Sequence, residues 1–125
     1  MPRFRVEISS VRGKMARRFG VLLVKSLFQK AGIKQLSILH VSLAAKARAP
    51  ALFHRKTHEF FFVLQGSVRG RINGKPCRFR RGDCCSLPAG AVHEFQAGKS
   101  GAQTLDVFFP GLDLGDPDIV SPRAR

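Results

Sequence analysis

The segments HRKTHEFFFVLQG, His54 to Gly66, and GDCCSLPAGAVHEF, Gly82 to Phe95, decide how this chain is read. Each brings potential metal ligands to the end of a β-rich run, and each is punctuated by glycines of the kind that turns demand. The first offers His54, His58 and Glu59 within six positions, and the second offers His93 behind a Pro-Ala-Gly turn. Two imidazoles and a carboxylate delivered from separate strands are what a buried divalent metal needs.

Outward from these segments the apolar residues recur with period two far more often than 3.6. Leu39 to Leu43 alternates, and Val21 to Phe28 reads as an earlier strand, although Val21, Val24, Leu27 and Phe28 would also fit a short helix. Glu59 to Leu64 is a dense aromatic and branched run that continues past Gly66 to Ile72. There Asn73-Gly74 supplies the strongest short hairpin signal, with φ above zero expected at both central positions. Cys77 to Phe79, Cys84 to Leu87, Val92 to Phe95 and Leu105 to Phe109 complete the expected strands. Many short strands with Gly and Pro punctuation predict an all-β sandwich or barrel. The Asp, Gly and Pro-rich tail after Pro110 is expected to wrap the surface.

Strand parity sorts the candidates. If Glu59 points inward, so do Phe61 and Val63, while Phe60, Phe62 and Leu64 point outward. A face that apolar needs cover, from the N-terminal strands or from a second copy of the chain, and a homodimer is the expectation. His58, adjacent to Glu59, belongs to the opposite face. His40 reads as a satisfied core or lumen histidine. Arg69 and Arg71 occupy alternate positions of one strand, where they bind an anionic substrate if their face is the lumen and discourage edge pairing if it is outside. Ser86 and the cysteines lie near the second segment with no assigned base, so no nucleophile is apparent and no catalytic residue is assigned.

With 125 residues and 13.8 kDa the chain reads as one domain, with basic N-terminal strands over 1–50, a motif core over 51–110 and a tail over 111–125. All eleven aromatics are Phe, which suits an apolar core better than a sugar-stacking surface. The formal charge of +14 is uneven, with thirteen Lys and Arg against the single acid Glu7 in residues 1–56. Such an arm can attract nucleic acid, anionic lipid or phosphorylated ligands, or serve solubility alone, and no nucleic-acid motif accompanies it. Three cysteines, Cys77, Cys84 and Cys85, form an odd set with an adjacent pair ill suited to a disulfide, so a reducing, cytoplasmic setting is expected. The apolar run Gly20 to Val24 is broken by Lys25 and resembles neither a signal peptide nor a membrane span.

The two segments resemble the cupin motifs. The first motif is Gly, five residues, His-x-His, three or four residues, Glu, six residues, Gly. His54, Glu59 and Gly66 fit its second half, with Leu52 at the first His and Lys46 at the first Gly. The second motif is Gly, five residues, Pro-x-Gly, two residues, His, three residues, Asn. Gly82, Pro88, Gly90 and His93 fit it up to its last position, which is Ala97. Between the motifs, Ser67 to Arg81 is short and holds the hairpin, and the likeness spans roughly residues 33–110. The resemblance implies a double-stranded antiparallel β-helix barrel of the jelly-roll type, its motifs facing each other across the interior. It also implies a divalent metal (Fe, Mn, Ni or Zn) on His54, Glu59 and His93, with Leu52 in place of a fourth ligand. A small, anionic molecule in the barrel and isomerase, dioxygenase or sensor roles are the corresponding functional expectations. The alternatives are a metal-free pocket holding a Glu59–His93 pair, or a basic accessory protein that contacts nucleic acid.

Overall fold

A computed structural model describes residues 6–31 and 33–122, so Arg3 and Arg5 of the basic arm lie outside the described residues. The strands are β1 (Arg17–Phe19), β2 (Leu22–Leu27), β3 (Ser37–Leu43), β4 (Arg48–His54), β5 (His58–Ile72), β6 (Lys75–Arg80), β7 (Cys84–Leu87), β8 (His93–Phe109) and β9 (Ile119–Val120). All pair antiparallel, in the order β1-β2-β3-β8-β4-β9, with β5 joining β6, β7 and β8. The sheet curls into a jelly-roll barrel. Among the described residues no helix is long and apolar enough to cross a membrane.

The barrel is organised by β5 and β8, which run side by side from His58↔Phe109 to Ile72↔His93. Their register shifts where both strands bend, between Val63 and Val68. Gly66 stands there at φ +74°, and a Cβ on it would lie 2.0 Å from the Gly101 carbonyl oxygen. Both the left-handed backbone and the close approach therefore demand glycine. The hairpin turn forms as expected, with Asn73 at φ 49° and Gly74 at φ 80°. The Asn73 side-chain oxygen accepts from the Val92 N–H at 2.9 Å, tying this turn to the start of β8.

Three expectations meet a definite outcome. Within Val21 to Phe28, Leu22–Leu27 is strand, not helix: β2 is paired on both edges, and its extended chain sends Val24 to the core and Leu23 to the surface. His93–Phe95 and Leu105–Phe109 are the two ends of one strand, β8, with Val92 just before it, because the Gly-Lys-Ser-Gly stretch between them bends without ending the ladder. The tail does more than wrap the surface. β9 pairs with β4, and Leu112, Leu114, Pro117 and Ile119 line the mouth of the barrel.

The parity expectation holds. Glu59, Phe61 and Val63 are buried, whereas Phe60, Phe62 and Leu64 are 40%, 46% and 40% exposed. One core cluster gathers Val24, Leu39, Val41, Leu43, Val68 and Phe108, and a second gathers Phe61, Val63, Leu87 and Ala91. Between them lies a cavity of about 150 Å³.

Candidate metal centre

His54 ends β4, Glu59 is the second residue of β5 and His93 opens β8, so adjoining strand termini deliver all three to one end of the cavity. Each is buried. Glu59 Oε1 lies 3.4 Å from His54 Nε2 and 3.8 Å from His93 Nε2, and one ligand atom from each residue lies within 4.8 Å of the others. A tetrahedral or octahedral ion with bonds of about 2.0–2.1 Å needs ligand atoms roughly 2.8–3.4 Å apart, so an inward adjustment would complete the set.

The local backbone explains the orientation of both imidazoles. His54 Nδ1 donates to the Asp118 carbonyl at 2.9 Å, and His93 Nδ1 donates to the Ala91 carbonyl at 3.0 Å. A carbonyl only accepts, so both neutral rings carry their proton on Nδ1 and present an Nε2 lone pair to the cavity. The two motifs also grip each other directly. Gly90, at φ +90°, donates its N–H to the His54 carbonyl at 2.7 Å.

Electrostatics make this cluster unusual. Burial lowers the His93 pKa below its ordinary value; the hydrogen bond to Ala91 opposes this, and neighbouring His54 adds to it. The ring therefore stays neutral and ligand-competent. Burial raises the Glu59 pKa, and a hydrogen bond with Asp106 works in the opposite direction. Asp106 itself is pushed well above the carboxylate range, first by its burial and then by the charge and hydrogen bond of Glu59. The Thr104 hydroxyl donates to Asp106 at 2.6 Å, so Thr104, Asp106 and Glu59 form a chain. Two Nε2 lone pairs and a carboxylate oxygen aimed at one point repel unless a proton or a cation lies between them. That donor set fits a divalent ion.

The other sequence candidates separate cleanly. Leu52 lies opposite His93 in register and lines the cavity, apolar where a fourth ligand would stand. His58 faces outward as expected, stacking on Phe60 with ring centroids 4.8 Å apart. Its Nε2 meets the Ser86 hydroxyl at 2.8 Å, so Ser86 has a partner after all, although among the described residues no carboxylate is bonded to this imidazole. His40 is buried and satisfied by Gln103 at 3.2 Å, but it pairs with Leu105 in register and so takes the parity opposite the cavity-lining Leu39 and Val41. Arg69 and Arg71 are exposed on the outer face, away from the lumen. Burial raises the Cys77 and Cys85 pKa values, so these thiols are poorly nucleophilic.

Sequence reasoning missed Asp106, Thr104 and Asp118. Asp106 did carry a signal, being a lone acid at the parity of Phe108 in the apolar run Leu105 to Phe109. Asp118 carried none, since its role depends on a tail strand with only two residues.

Residues 39–108 match the family model described as Cupin domain. No curated protein matches the sequence. Among solved structures, KdgF from Halomonas sp. aligns at 18% identity over 85% of this chain and 94% of that one, with a TM-score of 0.75. A variant of Streptomyces PAC13 with uridine aligns at 12% identity over 96% and 94%, with a TM-score of 0.76. A B. subtilis oxalate decarboxylase variant aligns at 22% over 94% of this chain and 34% of that one, with a TM-score of 0.73. At these identities the likeness is one of fold.

Proposed function

Because the chain belongs to the cupin family, we propose that it holds a divalent metal on His54, Glu59 and His93 and presents it to a small molecule inside the barrel. One observation carries this reading: both Nδ1 protons are committed to backbone carbonyls, so both Nε2 lone pairs converge on Glu59. When bound, an Fe, Mn, Ni or Zn ion supplies Lewis acidity or, for iron, redox chemistry. The chain's own residues supply the rest. Thr104 and Asp106 orient the Glu59 carboxylate, and burial beside Glu59 disfavours the ionised form of Asp106.

The cavity sets the ligand class. Its walls are Leu, Val, Phe and Pro side chains with no lysine or arginine, and about 150 Å³ is the size of an engineered pocket that takes benzene. An anionic group has no cation to meet there except the ion itself. The ligand is therefore small and largely apolar, with its charge confined to one oxygen-bearing end. PAC13 with uridine and the oxalate decarboxylase are relatives in fold named with small molecules, which supports a ligand of that scale. The reaction class is an isomerase or a dioxygenase; a sensor is the second reading, in keeping with walls that are mostly apolar. Two copies associate through the outer face that carries Phe60 and Phe62. The free thiols of Cys77, Cys84 and Cys85 fit a reducing cytoplasm.

Metal analysis of untagged protein, supplied with each ion in turn and desalted, tests the reading. Near-stoichiometric metal is expected, and a His93→Ala variant should lose it. Wild-type protein that retains none of the four ions would overturn the proposal.

A further inference from the structure

A row of arginines crosses the outer face on the wall of the barrel formed by β6, β5, β8 and β4. In register, Arg78 of β6 lies beside Arg69 of β5, Arg69 beside Gln96 of β8, and Gln96 beside Arg48 of β4. All three arginines are exposed. Antiparallel neighbours place like charges opposite each other here, an arrangement that costs stability unless something neutralises it. Nothing among the described residues does so. Among the described residues no guanidinium lies within ion-pairing distance of a carboxylate, and Glu94 is the only acid lining the shallow concavity of about 650 Å³ around the row.

Gln96 shows what the row is arranged to hold. Its Oε1 accepts from Arg48 at 3.2 Å and from Arg69 at 3.5 Å, so two guanidinium groups converge on one neutral oxygen. Its Nε2 donates to the Lys46 carbonyl at 3.2 Å, which fixes the amide. An anionic oxygen at this point would meet two forks at once. A tetrahedral phosphate can bridge them, whereas a planar carboxylate satisfies one. From Arg78 to Arg48 is three strand spacings, roughly 14 Å, more than one phosphate can reach.

We propose that this arginine row binds a linear phosphate chain, the backbone of a single-stranded nucleic acid or inorganic polyphosphate. The one aromatic residue at the concavity, Phe95, takes the inward parity of His93, so there is no outward stacking platform and binding is insensitive to base sequence. The proposal stands independently of the metal reading.

The test titrates the full chain with a labelled oligodeoxythymidylate of about 20 nucleotides and, separately, with inorganic polyphosphate of similar length, over about 50–200 mM salt. Three phosphate contacts give a slope of log K against log salt near −2 for the single strand. The triple variant Arg48→Gln, Arg69→Gln, Arg78→Gln should remove most of that slope and weaken binding at least 10-fold. A charge-matched triple, Arg12→Gln, Arg18→Gln, Lys30→Gln, should retain the slope. Thermal melts of both triples exclude unfolding, and Arg69→Gln alone, which relieves the repulsion with Arg78, gives a folded variant in which a partial loss is expected. Preference for one probe identifies the source of the phosphate chain. Equal losses in the two triples, or no binding of either probe by the wild type at the lowest salt, would overturn the assignment.

Discussion

Asp106 is the residue whose chemistry departs furthest from its ordinary behaviour. Its folded pKa lies well above the 3.8 of an unperturbed aspartate. A raised carboxyl pKa means that the folded chain binds the proton more tightly than the unfolded chain. Its contribution is thus fully present below the unfolded value and is lost as pH rises through the folded one. Asp106→Asn keeps a donor for Glu59 and an acceptor for Thr104 but cannot ionise. In metal-free protein the variant should be more stable than wild type by roughly 1 kcal/mol or more at about pH 8, with the gap closing toward about pH 4. Urea midpoints in the presence of a chelator measure this, and a gap independent of pH would refute it. At this scale the gathering of His54, Glu59 and His93 at one point was legible because motif spacing names them as candidates. Asp106 was obscured because a single acid in an apolar run looks the same whether it is paired or strained.

At the scale of elements, the turn before β4 shows what the motif's first glycine is for. Lys46 stands at that position with φ 60°, a left-handed backbone that a residue with a Cβ adopts at a cost. Its N–H donates to the Gly98 carbonyl at 3.0 Å and its own carbonyl accepts from Gln96, both through the backbone, so glycine would keep both bonds. Lys46→Gly should therefore stabilise the protein by about 0.5–1 kcal/mol, read as a rise in urea midpoint with an unchanged m-value. Destabilisation would mean that the lysine side chain has a packing role. Elements with alternating apolar residues, such as β3 and β5, were legible in advance. The middle of β8 was not, because Gly98 to Gly101 has no apolar alternation, and its strand character comes from pairing beside the bend with β3 and β5. β9 has only two residues and exists because β4 offers it an edge.

At the scale of the molecule, the outward apolar face remains open in the single chain. Phe60, Phe62 and Leu64 are 40%, 46% and 40% exposed side by side on the outer face of β5, an area that favours association. Light scattering at about 10 µM, a concentration at which an interface of ordinary size is occupied, should report a dimer, and Phe62→Glu should report a monomer with an unchanged circular dichroism spectrum. A monomeric wild type would refute the dimer. The fold class was legible because two motifs and a hairpin occur in order. The closure of the barrel by its own tail was not, since Leu112, Leu114 and Ile119 are too sparsely placed to form a pattern. That closure has a temporal consequence. His54 receives its orienting carbonyl from Asp118, 64 residues later in the chain. On a ribosome adding about 5–20 residues per second, all three ligands are made before the residue that aligns the first of them. A chain released before Asp118 would carry all three proposed ligands without the carbonyl that orients His54. Metal retention would then distinguish finished chains from interrupted ones.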